Sequence, residues 1–123
     1  MKNNYVAEEF IVGSLLHEGG LENRMPKYLE RGIGIDHFES SNCKRIWKRL
    51  EQSYREGRMQ DGLNLDVTVA RSGISDAKML AAGVYEIRRA FQGDSYIEQN
   101  LSDIEKLTSE ISGVNSTVKL MKT

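Results

Sequence analysis

The chain has 123 residues, of which 39% are hydrophobic and 28% charged, with a formal charge of −1. That length supports one domain with a modest core, and the composition excludes an intrinsically disordered chain. The near-zero net charge removes any argument for nucleic-acid binding from overall charge, although a local basic patch is still allowed.

The single Cys excludes an intrachain disulfide framework. The opening MKNNYVAEEF places acidic residues before any apolar run of signal-peptide length. No apolar stretch reaches the roughly 20 residues needed to span a bilayer. These features read as a cytoplasmic, reducing environment with no membrane partner.

From Tyr5 to Gly20, YVAEEFIVGSLLHEGG predicts a helix with a broad buried face. Val6, Phe10 and Gly13 form one ridge, with Ile11, Leu15 and Leu16 beside it. Asn4 is the expected cap and Gly19-Gly20 the stop. Pro26 then starts a short helix that Gly32 and Gly34 end.

Asp36 with Glu39 resembles a capping box, and Ser40 or Ser41 offers a second cap. Cys43, Ile46, Trp47, Leu50 and Tyr54 follow at spacings of three, one, three and four, the mark of a buried helical stripe. Gly57 closes that helix. Lys44, Arg45, Lys48 and Arg49 fall on the opposite face and are the candidate partner surface.

RMQDGLN reads as a loop because it lacks apolar periodicity and holds Asp-Gly. LDVTVARSG reads as a short helix with Asp66 as cap and Gly73 as stop, since no second strand-like run is available to pair with it. Leu80, Val84, Ile87 and Phe91 then step by four, three and four, and Ile97, Leu101, Ile104, Thr108 and Ile111 by four, three, four and three. Asp94 or Ser95 caps the second of these helices. They predict a helical hairpin with Tyr85, Arg88 and Leu107 as its candidate assembly surface.

The fold class expected is therefore all-α, with about six helices. Residues 1–74 form a helical body, 75–112 a hairpin of the same domain, and 113–123 a frayed tail. Phe10, Leu15, Phe38, Ile46, Trp47 and Leu50 are the expected core.

Catalytic chemistry finds little support. A phosphate loop requires Gly-Lys, and the chain has no such pair. His17, His37 and Cys43 do not match the spacing of zinc ligands. Cys43 lies on the apolar stripe, where a free thiol behaves as a small hydrophobe. The chain is read as a non-enzyme without cofactors.

Two uses of the basic residues compete. A DNA-binding regulator would place Lys44, Arg45, Lys48 and Arg49 on phosphates. TVARSGISDAKML also resembles a helix-turn-helix with Gly73 at the turn, but the following helix offers only Lys78 for base edges. The other use is an interaction and assembly domain, whose basic face is solvated or meets an acidic partner.

A family resemblance favours the second use. AEEFIVGSLL at Ala7–Leu16 resembles the opening helix of the N-terminal domain of DnaB-type replicative DNA helicases. In the same order, Asp36–Phe38 is similar to that family's Asp-Phe turn, IWKRLEQSYREG at Ile46–Gly57 to its central helix, and DVTV at Asp66–Val69 to its Asp-x-x-Thr segment. The likeness covers residues 5–72 well and the hairpin in outline. The segment between Gly57 and Asp66 is longer than the family's usual turn.

The resemblance implies an all-α, non-catalytic domain that pairs with copies of itself into a collar through its hairpin and meets primase or a helicase loader, with DNA contacted indirectly. It also implies structural roles for Phe10, Gly13, Leu15, Leu16, Phe38, Ile46, Leu50, Asp66 and Thr68. A full-length parent of that kind would be an ATP-dependent helicase.

Overall fold

A computed structural model describes residues 5–106. Its helices are α1 (Tyr5–Ser14), α2 (Met25–Glu30), α3 (Ser41–Arg55), α4 (Asp61–Ala70), α5 (Ala77–Arg88) and α6 (97–106). A π-helical turn at Gly20–Arg24 leads into α2, and 3₁₀ turns occupy Ile35–His37 and Asp94–Tyr96. No strand occurs among the described residues, so the all-α expectation holds.

α1 is the central element. Ala7, Phe10, Ile11, Val12 and Gly13 are all buried, and Leu15 and Leu16 continue into the core just past its end. A helix covered on most sides carries no polar stripe, which explains its nearly continuous apolar sequence. Val6 departs from the predicted ridge: it is 82% exposed. Periodicity assigns it the angle of Phe10 and Gly13, but burial also needs a neighbour at the height of the first turn. Asn4, the expected cap, lies outside the described residues.

Two glycines set how closely the helices approach α1. A Cβ on Gly13 would lie 2.2 Å from the carbonyl oxygen of Ile87, so α5 crosses α1 backbone to backbone. A Cβ on Gly62 would lie 2.4 Å from the carbonyl oxygen of Leu15. This corrects the loop expected at RMQDGLN, because α4 already begins at Asp61. Asp-Gly serves here as the first turn of a helix docked against another backbone, not as a turn signal. Asp66 is consequently a mid-helix residue rather than a cap, and Thr68 is exposed instead of structural.

α3 follows its predicted stripe. Cys43, Ile46, Trp47 and Leu50 are buried, Tyr54 packs partly against them, and the Phe38 ring lies 5.1 Å from that of Trp47. Its cap is Ser40, whose hydroxyl accepts the Cys43 amide at 3.3 Å. The Asp36–Glu39 box does not form. In its place, the buried carboxylate of Glu8 on α1 accepts the amides of Glu39 and Ser40 at 2.9 and 3.0 Å. A side chain 31 residues upstream thus satisfies the two amides that precede the helix.

The hairpin expected at 75–112 runs past the described residues, and within them both of its helices contact the rest of the domain. α5 buries Ala77, Leu80, Val84 and Ile87, packing chiefly on α4 and α1. α6 buries Ile97, Leu101 and Ile104 and is joined to α2 by Arg31 with Glu98 and Glu105, and by Lys27 with Glu98 at 3.6 Å. Both helices therefore belong to the body. The connection between them is also anchored: Phe91 packs edge-on to Phe10 at 5.3 Å, and Arg24 sits over the Phe91 ring while pairing with Asp94 at 2.8 Å. Thr108, Ile111 and the proposed tail lie outside the described residues.

Candidate partner surface

The outer face of α3 presents Lys44, Arg45, Lys48 and Arg49, all exposed as the stripe opposite them requires. They are not equivalent. Arg45 donates two hydrogen bonds to the Asp76 carboxylate, at 2.6 and 3.0 Å, and so fastens α3 to the start of α5. The guanidinium holds the Asp76 carboxyl below its usual range.

Lys44, Lys48 and Arg49 have no ion pair among the described residues. The charge of Arg49 nevertheless reaches Asp61. Burial pushes that carboxyl up, but hydrogen bonds from Ser53 and Arg58 and the charges of Arg58 and Arg49 outweigh it and lower its pKa.

Beside Lys48 the surface dips into a groove of about 640 Å³. It is lined by Ile35, from the 3₁₀ turn before α3 and 37% exposed, and by the fully buried Trp47. Glu51 and Arg55 also line it. The Trp47 indole N–H donates to Glu51 at 2.9 Å, and Arg55 donates to the other Glu51 oxygen at 2.8 and 3.0 Å. Gln52 and Glu56 complete the rim, with Glu56 paired to Arg58. Both carboxylates on the groove are thus compensated, and Lys48 is its one cation without an acidic partner among the described residues.

Of the predicted hairpin surface, Tyr85 and Arg88 lie among the described residues. Tyr85 is 53% exposed, with the Arg89 guanidinium 5.8 Å from its ring centroid. Arg88 instead turns inward. It donates to the carbonyls of Leu16 and Leu63 and to Asp66, each at 3.1 Å, linking α5 to α4 and to the end of α1. That bond, the largest influence on Asp66, lowers its carboxyl pKa. Leu107 lies outside the described residues.

One surface feature escaped the sequence reading. Leu63, Val67 and Ala70 are exposed along α4, with Ile74 just beyond it. Their spacing of four, three and four is a helical stripe. Starting the helix at Asp61 brings it into view.

The nucleophile and imidazoles sit in structural settings. Cys43 is buried, which pushes its thiol up to about 12, far from the thiolate that nucleophilic attack requires. His17 donates from Nε2 to the Arg88 carbonyl at 2.8 Å. His37 accepts the Gly34 amide at Nδ1, 3.2 Å away. Among the described residues, no group of three His, Cys, Asp or Glu side chains is placed to hold a metal, and no helix is long and apolar enough to cross a membrane. Comparison of the chain with protein families, curated proteins and solved structures found no significant match.

Proposed function

We propose that the chain is a non-catalytic assembly and interaction domain of the DnaB helicase N-terminal kind, acting in cytoplasmic DNA replication by contacting copies of itself and a primase or helicase loader. The observation that carries this reading is the order of its segments. AEEFIVGSLL spans most of α1 and the turn after it, Asp36–Phe38 the turn before α3, IWKRLEQSYREG most of α3, and DVTV the second half of α4. Four short likenesses thereby fall on successive elements of one helical body.

With α5 and α6 packed into that body, the exposed apolar side chains available for self-contact include Leu63 and Val67 on α4 and Met79 and Tyr85 on α5. The outer face of α3 is the surface for a different protein. Light scattering behind size exclusion, with and without a primase C-terminal region, tests the proposal. Assembly beyond a monomer together with primase binding is expected. A strict monomer at high concentration that ignores primase contradicts it.

The second reading, a small DNA-binding regulator, draws on Lys44, Lys48 and Arg49 standing without acidic partners among the described residues. Its mark would be tight duplex binding that weakens steeply with salt and is lost when these cations and Arg45 are replaced. Arg45 counts against it, since its guanidinium is engaged by Asp76.

A further inference from the structure

We infer that the α3 groove is a docking site for an acidic amphipathic helix of a partner protein, which sets one apolar side chain against Ile35 and places carboxylates on Lys44 and Lys48. The inference deepens the interaction-domain reading and rests on it.

The first observation is shape and polarity. A groove of about 640 Å³ lined by the exposed Ile35 offers an apolar side chain a place to leave water. Its size lies within the ~300–1,000 Å³ typical of binding clefts. Peptide helices commonly dock by setting such anchors into a groove.

The second observation is charge. Glu51 is engaged by Trp47 and Arg55, and Glu56 by Arg58, so neither presents a free negative charge to an incoming ligand. Lys48, and Lys44 one turn before it, have no acidic partner among the described residues. Two cations four residues apart stand ~5–6 Å from each other at Cβ, the same spacing as two glutamates four apart on a partner helix. The groove therefore offers the exposed Ile35 and, unpaired among the described residues, Lys48, with Lys44 one turn earlier on the same helix face.

Duplex DNA fits these observations less well. A phosphate track needs a broad cationic surface, whereas here Arg45 is engaged by Asp76. Nor does the exposed Ile35 side chain contribute to phosphate binding.

Trp47 is the chain's only tryptophan, so its emission reports the groove directly. The probe is a synthetic Trp-free helical peptide bearing one Leu anchor flanked by Glu four residues apart. Control ligands are the same peptide with Ser for Leu, its Lys-for-Glu counterpart, and a short duplex DNA. Binding is followed by Trp47 emission and by amide and indole resonances of the full chain.

The acidic Leu peptide should shift the Trp47 indole resonance and those of residues around Ile35 and Gln52. Its affinity should fall about tenfold or more for the paired Lys44→Glu and Lys48→Glu variant, for Ile35→Ser, and for the peptide lacking Leu. Lys78→Glu, outside the groove, should bind as the native chain does. Circular dichroism confirms that each variant is folded, and Lys48→Ala replaces any that is not.

No groove response at millimolar peptide overturns the inference. So does equal weakening by Lys78→Glu, or duplex binding that outcompetes the peptide and is lost in the lysine variant. Light scattering on the same samples separates the two readings. An oligomer that ignores the peptide contradicts the docking site alone, and a monomer that binds it contradicts self-assembly alone.

Discussion

α5 and α6 have almost the same apolar spacing, yet the molecule holds them in different ways. α5 crosses α1 so closely that Gly13 has no room for a Cβ, and Arg88 ties it to two carbonyls and Asp66. α6 contributes Ile97, Leu101 and Ile104 to the core, but its polar attachment to α2 is a row of ion pairs with exposed carboxylates. Close packing and part-buried bonds resist salt, whereas exposed ion pairs are screened. Two helices that look alike in sequence should therefore respond differently to mutation and to ionic strength.

The largest effect tests the core on which both helices depend. Trp47→Ala removes a fully buried side chain and should cost about 3–5 kcal/mol in denaturant unfolding. Unchanged stability would mean that the α3 stripe is not part of the core.

The α5 attachment comes next. Gly13→Ala forces a methyl against the Ile87 carbonyl, and overpacking of this kind should cost about 1–3 kcal/mol. Arg88→Ala, which leaves the Leu16 and Leu63 carbonyls and Asp66 without their donor, should cost about 1–3 kcal/mol. Both losses should persist in high salt.

Arg31→Ala, on the α6 side, should give the smallest change. Its effect on unfolding should shrink toward zero as salt approaches about 1 M, where the screening length is ~3 Å. A salt-independent loss as large as that of Arg88→Ala would erase the distinction between the two attachments.

Acid sharpens the comparison further. Asp66 and Asp94 are held below the ordinary 3.8 by their arginine partners, so the stability they add is present above 3.8 and is lost as pH falls through their lowered pKa values. Glu8 acts in the opposite sense. Burial raises its pKa above 4.5 despite the amides of Ser40 and Glu39, so its charged form weighs against folding at neutral pH and that penalty fades in acid. The stability of Glu8→Gln relative to the native chain should therefore improve as pH rises above 4.5. Denaturant midpoints in acid and at neutral pH measure it, and a pH-independent difference would refute the assignment.

Local pattern made much of this legible. The α3 stripe was readable because Ile46, Trp47 and Leu50 recur on one face, and its solvent side followed from the same arithmetic. Long-range contacts were not readable. Nothing near Ser40 announces that Glu8 will cap the turn before α3, and nothing near Arg88 points to Asp66. Gly62 misled because Asp-Gly is a turn signal in isolation, while its use here is set by the Leu15 backbone. The candidate site was legible in its cations and invisible in its groove, since Ile35 comes from a different element and Asp76 claims Arg45 across 31 residues.

The central structural claim is that α5 completes the body instead of leaving it as an arm. Its most direct test is a chain ended after Ser75 and followed by circular dichroism and denaturant unfolding. Without α5 to cover α1 and α4, that fragment should lose its cooperative unfolding transition. A fragment that keeps a sharp transition and full helicity for its length would show that residues 1–75 fold alone, and would contradict the account.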